Sequence, residues 1–363
     1  MQPFAELSMV QELRDVAERL IADRTDHART RRLRMTLPGF CDDIWSACVD
    51  LGWLGILIPE ADGGTGLGLP DMAVVVRTME KGLLGVPIVE FGVLGARALV
   101  HAPEGGERSR LLAGVVDGTV RPALLLGLAD EYPKLGVTGG DRITGLADNV
   151  PAGHAATHFI VPVRVSGETA LYVVDADAEG VTIDTQWRAD GSPLAQVKLE
   201  IAVSNATLIA TGEAAGAAFS RSLDEARIIA SAALVGLSEH MLAMTVEYLK
   251  VRVQYDRVIG SYQALQHKAV DLHIQKELAV ASVEHAVRAT PETLDQAAIR
   301  AKARASGAAL RIGREAIQLH GAIGFTEEHD LGLYVKHAIV LSAWLGSAAV
   351  QRRRYVEKGL LYK

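Results

Sequence analysis

The chain has 363 residues, of which 49% are hydrophobic and 22% charged, so it is not intrinsically disordered, and its length predicts about two or three folded domains. Its 37 basic and 44 acidic residues give a net charge of −7, which argues against nucleic acid or an anionic membrane as the main partner. The two cysteines, Cys41 and Cys48, favour neither a disulfide framework nor a zinc site. They fit a reducing, cytoplasmic setting.

The first twenty residues contain no basic segment followed by an apolar stretch, and no run of 18 apolar residues occurs in the chain. We therefore expect neither a secretory signal nor a membrane span.

The chain divides into three zones of different sequence pattern. In residues 1–120, apolar residues such as Leu13, Val16 and Leu20 recur at helical spacing between charged residues, which predicts an N-terminal helical domain. Residues 121–212 are six short β-rich runs separated by turn residues, which predict a small central β-barrel or sandwich. Residues 213–363 return to long helical segments and predict a C-terminal four-helix bundle. The fold class is therefore α+β.

Individual elements can be predicted within the two helical zones. In the first zone, a helix is expected from Asp42 to Leu51, then a glycine-rich loop, then a helix that begins at Asp71. In the last zone, one helix runs from about Glu213 to near Gly260, and three more follow it. The first of these begins at Ser261, the second lies after Pro291, and the third ends the chain.

Two kinds of site are not expected. The pairs His267/His273 and His320/His329 are six and nine residues apart, and neither gives the i, i+4 spacing of a helical zinc site. The glycine-rich segment 63–68 lacks the Gly-Lys-Ser/Thr sequence of a phosphate loop. We interpret it as a sharp connection.

A stronger possibility is an anion site where one helix ends near Gly260 and the next begins at Ser261, a good N-cap residue. A helix N-terminus offers free N–H groups and a partial positive charge, and Arg252 and Arg257 precede it. A plain helix–turn–helix with solvated arginines explains the same pattern. A second segment, 318–325, is a helix end followed by a glycine turn, and alone it indicates only a C-cap.

Three stretches, in this order, resemble the acyl-CoA dehydrogenase family. Residues 51–64 resemble the family's LGLLG…PEEYGG stretch, residues 252–263 resemble R-x-Q-F-G…Q, and residues 318–325 resemble Q-x-x-G-G-x-G-F. The resemblance covers essentially the whole chain. It implies the family's fold, the cofactor FAD, and α,β-desaturation of an acyl-CoA thioester by an oxidoreductase of lipid metabolism.

In that family FAD lies across a subunit interface, and the resemblance gives this chain the diphosphate and adenosine side. Arg252 and Gln254 would meet the diphosphate, Tyr255 would pack on the cofactor, and Gln263 would bind near the adenine or ribose. An arginine suits this role because its planar fork of donors matches phosphate oxygens.

The glycine turn would complete this half of the site. Gln318, Gly321 and Gly324 would let the neighbouring subunit's cofactor lie close to the backbone. The sequence departs from the family pattern twice, with Asp256 in place of a glycine and Ala322 in place of the second glycine of a pair.

The half of the site that contacts the flavin ring has no counterpart in this sequence. The family's T-E-P-x-A-G-S-D and W-I-T stretches correspond to residues 126–133 and 146–151, and neither matches. The reaction also needs a carboxylate to remove the proton α to the thioester. The two positions at which the family places it hold Leu345 and Ala226. Glu225 is adjacent, but one step along a helix turns a side chain by about 100°.

These features favour a base-less subunit of a heteromeric acyl-CoA dehydrogenase, resembling those of actinobacterial steroid side-chain degradation. A second acyl-CoA dehydrogenase-like subunit would supply the catalytic Glu, in a hetero- or homotetramer. Two alternatives stay open. One is a homo-oligomeric flavoenzyme with a displaced base or a different reaction. The other is a non-catalytic assembly protein on the same fold.

Overall fold

A computed structural model describes residues 8–127, 132–165 and 167–359. Helices come first, then a β-sheet, then helices again, which confirms the α+β class. The chain packs as two compact units, one formed from residues 1–28, 73–84 and 230–363 and the other from residues 29–72 and 85–229. The three-domain division at residues 120 and 212 stays a prediction.

The first helices are short. They are α1 (Ser8–Arg24), α2 (His27–Leu33), α3 (Asp42–Asp50), α4 (Leu69–Lys81), α5 (Ala96–Val100) and α6 (Gly106–Val116), with a π-helical segment Val89–Gly95 before α5. Helix α3 is confirmed, whereas α4 begins two residues before Asp71. The reason is that the Asp71 carboxylate accepts a hydrogen bond from the Gly68 N–H at 2.9 Å, so it caps the helix from inside the first turn.

The sheet belongs to the second unit. Its strands are β1 (Pro122–Leu124), β2 (Lys134–Thr138), β3 (Arg142–Pro151), β4 (His158–Val165), β5 (Glu168–Asp175), β6 (Val181–Trp187), β7 (Pro193–Ala202) and β8 (Thr207–Thr211). The order is β6-β7-β3-β2-β4-β5-β8, with β1 parallel to β4. Strand β7 buries Val197, Leu199 and Ile201 and exposes Lys198 and Glu200, as expected where one face covers the core.

The C-terminal zone contains five long or medium helices among the described residues. They are α7 (Gly212–Val251), α8 (Gln263–Ala286), α9 (Leu294–His320), α10 (Leu331–Ala343) and α11 (Ala348–Glu357). The predicted helix end near Gly260 is wrong, because a hairpin of β9 (Val253–Gln254) and β10 (Arg257–Val258) follows α7. The predicted last helix is in fact two helices, α10 and α11, separated by a turn at residues 344–347.

Small residues set the packing of the first unit. Gly236 on α7 faces α4 so closely that an added Cβ would lie 2.1 Å from the Arg77 carbonyl oxygen. Helix α9 buries a stripe of alanines, among them Ala301, Ala305 and Ala309. Close backbone approach therefore replaces bulky side chains in this core.

Among the described residues, two stretches are long and apolar enough to cross a membrane: α7, residues 212–251, and the stretch that contains α10 and α11, residues 331–357. In their most apolar windows, 78% and 50% of the residues are buried inside the protein. Burial of this kind is typical of core helices.

Candidate functional site

The corner predicted to bind a cofactor begins with a hairpin. The Arg252 carbonyl accepts a hydrogen bond from the Ile259 N–H at 2.8 Å, and Gln254 pairs directly with Arg257. Tyr255 and Asp256 therefore form a two-residue turn, with φ values of +52° and +60°. Such a turn favours Gly, Asn or Asp, which explains why the family has a glycine where this chain has Asp256.

The predicted side chains of this segment face solvent. Arg252, Gln254 and Gln263 are exposed, and Tyr255 is 88% exposed. The Arg257 guanidinium lies 3.7 Å from the centre of the Tyr262 ring, a cation–π contact. The hairpin thus presents two cations and a bare aromatic ring outward, a combination suited to a phosphate-containing nucleotide.

The next helix begins at Gln263, two residues later than predicted. Its N-cap is Tyr262, whose side chain makes no capping hydrogen bond. Ser261 is not the N-cap, because it lies in a 3-10 turn and its hydroxyl donates to the Val258 carbonyl at 2.6 Å. The first turn of α8 therefore carries no side-chain cap and can donate to an anionic ligand.

The glycine turn after α9 has its own structural reasons. Gly321 adopts φ +67° and ψ −143°, a conformation open essentially to glycine alone. Gly324 is buried, and an added Cβ would lie 3.0 Å from the Ile317 carbonyl oxygen. Ala322 is exposed and has no positive φ, so the second glycine is not needed here. Close approach of a cofactor to these glycines stays a prediction.

The structure brings the two predicted segments together. The ring of Tyr248, one turn before Arg252, stacks on the ring of His320 with 4.5 Å between centroids. Residue His320 is the last of α9, next to Gly321. The end of α7 and the end of α9 therefore meet at one corner, and Gln318 is exposed beside it.

Sequence reasoning missed the part that His320 plays at this corner. It is 3% exposed, its Nδ1 lies 2.8 Å from the Ala316 carbonyl oxygen, and its Nε2 has no hydrogen-bond partner among the described residues. Burial lowers the pKa of His320, so the ring is neutral and Nε2 is a bare acceptor. The sequence offered only a tyrosine and a histidine near the ends of two helices, which is a weak indication that the two rings would meet. The donors at this corner, which are Arg252, Arg257 and the N–H groups of the first turn of α8, fit a diphosphate nucleotide such as FAD.

The first position for a catalytic base lies in the turn between α10 and α11. Leu345 is fully buried with φ +56°, and Gly346 follows with φ +89°. The Lys302 ammonium, itself buried, donates to the carbonyls of Ser342 at 3.0 Å and Gly346 at 3.2 Å. The Gln351 amide donates to the Leu345 carbonyl at 2.6 Å. The turn is thus held rigidly, but it presents no proton acceptor.

The second position holds a methyl group, because Ala226 is fully buried on α7. Its neighbour Glu225 is 5% exposed and pairs with the Arg97 guanidinium at 2.5 and 2.9 Å and with His101 at 3.0 Å. Burial raises the pKa of Glu225, but the hydrogen bonds from His101 and Arg97 outweigh burial and hold that pKa below its usual value. Glu225 is an ion-pair partner and a poor base.

The described residues of the two ring-side segments have structural roles of their own. Residues 146–151 lie at the end of β3, where the register with β7 shifts between Ala147 and Val150. Asp148, in this stretch, accepts a hydrogen bond from Gln196 at 2.8 Å. Of the segment 126–133, residues 128–131 lie outside the described residues.

Comparison with known proteins decides the family. The models of the acyl-CoA dehydrogenase N-terminal and C-terminal domains match residues 6–119 and 216–360. Acyl-CoA dehydrogenase IpdE2 of Mycobacterium tuberculosis is 31% identical over 329 residues, which are 90% of this chain and 90% of that protein. The chain belongs to the acyl-CoA dehydrogenase family. Acyl-CoA dehydrogenase FadE27 of the same organism is 26% identical and covers 97% of both chains.

Solved structures agree with this acyl-CoA dehydrogenase fold. A variant of the Tcur3481-Tcur3483 steroid ACAD superimposes with a TM-score of 0.87 at 28% identity, over 97% of this chain and 98% of that one. The ChsE4-ChsE5 complex of Mycobacterium tuberculosis gives a TM-score of 0.88 at 24% identity over the full length of both chains, which supports the fold. The predicted family, fold class and oxidoreductase class are confirmed, and FAD is the cofactor of this family.

Proposed function

We propose that this acyl-CoA dehydrogenase is one subunit of a heteromeric enzyme and that it holds part of the FAD for a partner subunit that carries the catalytic Glu. One observation supports this above all others. Both family positions for the base hold fully buried apolar side chains, Leu345 and Ala226. The adjacent Glu225 is occupied by Arg97 and His101. An acyl-CoA dehydrogenase without a base needs one from elsewhere.

The hairpin corner provides the binding role. The exposed Arg252 and Gln254 bind the diphosphate, and the uncapped first turn of α8 adds N–H donors beside them. The exposed Tyr255 ring packs on the cofactor, and Gln263 binds near the adenine or ribose. Gln318 and the backbone at Gly321 and Gly324 border the same corner.

The division of chemical labour follows from this assignment. FAD, when bound, accepts the hydride from the β carbon of the acyl group. The residues of this chain bind and orient the diphosphate half, and the partner's carboxylate removes the α proton. Arg252 and Arg257 also offset the negative charge of the diphosphate.

A partner surface is present on α8. Val270 and Ile274 lie one turn apart on α8 and are 55% and 47% exposed. An apolar stripe of this size on an isolated helix face is typical of a surface covered in an assembly. We therefore assign this stripe to subunit contact within a hetero- or homotetramer. The steroid ACAD neighbour supports a steroid-type acyl group as substrate.

Flavin content tests the proposal directly. The chain is purified alone and together with the product of a neighbouring acyl-CoA dehydrogenase gene, and flavin absorbance and complex mass are measured. Flavin in the pair only, with turnover of a steroid side-chain acyl-CoA, is the expected result. Flavin in the chain alone would favour the homo-oligomeric flavoenzyme, and a colourless protein in both would favour the assembly protein.

A further inference from the structure

Helices α8, α9 and α11 enclose an open groove of about 800 Å³, separate from the hairpin corner. Its apolar lining includes Leu278 from α8, Ile299 and Ala303 from α9, and Tyr355 and Val356 from α11. Leu278 and Val356 are 44% and 53% exposed, so the sides of the groove formed by α8 and α11 present apolar side chains to solvent. A cleft of this volume and lining is typical of sites for small organic ligands.

The groove is strongly basic, although the chain as a whole is acidic. Arg300, Arg304 and Arg352 line it, and no Asp or Glu is among its described lining residues. Arg300 contacts His285 at 3.3 Å. Arg304 and Arg352 make no hydrogen bond or ion pair to any described residue. Two guanidinium groups, one from α9 and one from α11, therefore carry a charge that no described carboxylate offsets.

A buried acceptor at the groove gives an independent indication of a ligand. Gln351 lines the groove and is fully buried. Its Nε2 donates to the Leu345 carbonyl at 2.6 Å, whereas its Oε1 has no hydrogen-bond partner in the part of the chain that the structure describes. An unsatisfied buried acceptor is costly, and a ligand with a hydroxyl or N–H donor would satisfy it.

We propose that this groove binds a small amphipathic anion. Its apolar body lies between Leu278 and Tyr355, its carboxylate or phosphate is held by Arg304 and Arg352, and a donor on it reaches Gln351. Charge complementarity selects the anionic head, since arginine forks match carboxylate and phosphate oxygens. The groove residues lie outside the hairpin corner, so anion binding here and flavin binding at the corner can fail separately, although the test below uses the complex of the proposed function.

The test is calorimetric titration of the chain in complex with its partner, below the micelle concentration of each probe. Dodecanoate and dodecyl phosphate separate a carboxylate from a phosphate head, and dodecyltrimethylammonium is the cationic control. We expect one or both anions to bind and the cation to bind at least about tenfold more weakly. Arg304→Gln and Arg352→Gln should each weaken anion binding about tenfold.

The matched control is Arg353→Gln. Arg353 lies beside Arg352 on α11 but pairs with Glu357 at 3.6 Å and does not line the groove, so its loss should leave binding unchanged. Ala303→Trp, which fills the floor, should abolish binding while the mass of the complex stays constant. Equal binding of the cation, or anion binding unaffected by the Arg304 and Arg352 variants, would overturn the proposal. Binding by the lone chain that disappears in the complex would overturn it too, because the groove would then be a subunit contact.

Discussion

The residue at position 256 is subject to two requirements, the backbone conformation of the hairpin turn and the charge of the proposed ligand. Its φ of +60° places it in the left-handed region, where glycine is relaxed and aspartate is tolerated. Gly321 is likewise favoured by its own backbone conformation, and Gly324 by close packing against the Ile317 carbonyl. The family's glycines at these positions are therefore explained in part without any cofactor, and the cofactor assignment depends on the side chains that have no internal task.

Arg252 is the strongest of these side chains. A charge-assisted hydrogen bond to phosphate contributes about 1.5–3 kcal/mol, so Arg252→Ala should weaken FAD binding in the complex about 10- to 150-fold. Arg252→Lys should restore only part, since lysine lacks the planar fork. Flavin per complex and complex mass are measured together. Full flavin retention in an intact complex would show that Arg252 is a solvated surface residue.

Asp256 should oppose the same ligand. Its carboxylate lies in the hairpin turn beside the proposed diphosphate site, so Asp256→Asn should strengthen FAD binding about two- to fivefold by removing the charge. Asp256→Gly should do at least as well, because it also relaxes the left-handed backbone. The two variants separate charge from strain in a flavin titration of the complex. Equal affinity in the parent and both variants would place the phosphate elsewhere.

At the scale of elements, the hydrophobic pattern was sufficient for helices with a clear apolar face and failed where β-branched residues continued a helical run. Helix α7 was predicted to continue past Val251, because the positions of Val251, Val253 and Val258 do not distinguish the helical from the strand spacing of apolar residues. The Tyr255-Asp256 turn also contains no glycine that would indicate a hairpin. Strand β2 was missed because only Leu135 in it is buried. Burial by distant segments cannot be read from local periodicity.

The turn between α10 and α11 was also missed, because its conformation depends on a residue forty positions away. Lys302 joins the carbonyls of Leu341, Ser342 and Gly346 and the Ser306 hydroxyl at 3.0–3.2 Å. No local sequence pattern predicts such a contact.

The candidate site shows the same limit. Its motif residues were found from the sequence, whereas His320 needed the fold to bring it against Tyr248.

Lys302→Met should therefore lower the free energy of unfolding by about 3 kcal/mol, because it leaves several buried carbonyls without a hydrogen-bond donor. Urea unfolding followed by circular dichroism measures the change. The control is Lys250→Met, since Lys250 is exposed and, among the described residues, pairs only with Glu247 at 2.6 Å on the same helix. That variant should change stability by less than about 0.5 kcal/mol. Equal effects of the two substitutions would contradict the role of the buried ammonium.

At the scale of the whole molecule, stability should fall with acidity through His240. Its ring stacks on Tyr334 at 4.3 Å, and burial, with His27 and Lys81 nearby, lowers the pKa of His240 to about 4. Asp330 acts in the opposite direction. An unfolded histidine titrates near pH 6.5, so the unfolded state binds the proton first and stability is lost as pH falls from about 6.5 to about 4.

His240→Phe keeps the stacked ring and removes the titration. Between those pH values, the free energy of unfolding should fall by about 2 kcal/mol less in this variant than in the parent protein, after allowance for the partial exposure of His240. Denaturant unfolding at pH 7, 6, 5 and 4 provides the comparison. The carboxylates Glu225 and Glu239 have lowered pKa values, so their contribution is present above the ordinary pKa of glutamate, begins to fall near it as the unfolded state takes up protons, and is lost as pH falls through the folded pKa values. An unchanged slope in the variant would assign the pH dependence to other groups.

Catalysis should likewise be a property of the assembly. The isolated chain should not dehydrogenate acyl-CoA, because the positions of Leu345 and Ala226 offer no carboxylate. Leu345→Glu should not repair this, since neither ring-side stretch of the sequence matches the family pattern, and a glutamate in this fully buried turn should lower stability by roughly 1–3 kcal/mol. Leu345→Met, close in volume, is the control for packing. Turnover of about 1 per second or more by the pure chain, or acyl-CoA oxidation gained by the glutamate variant alone, would show that this subunit holds a complete active site.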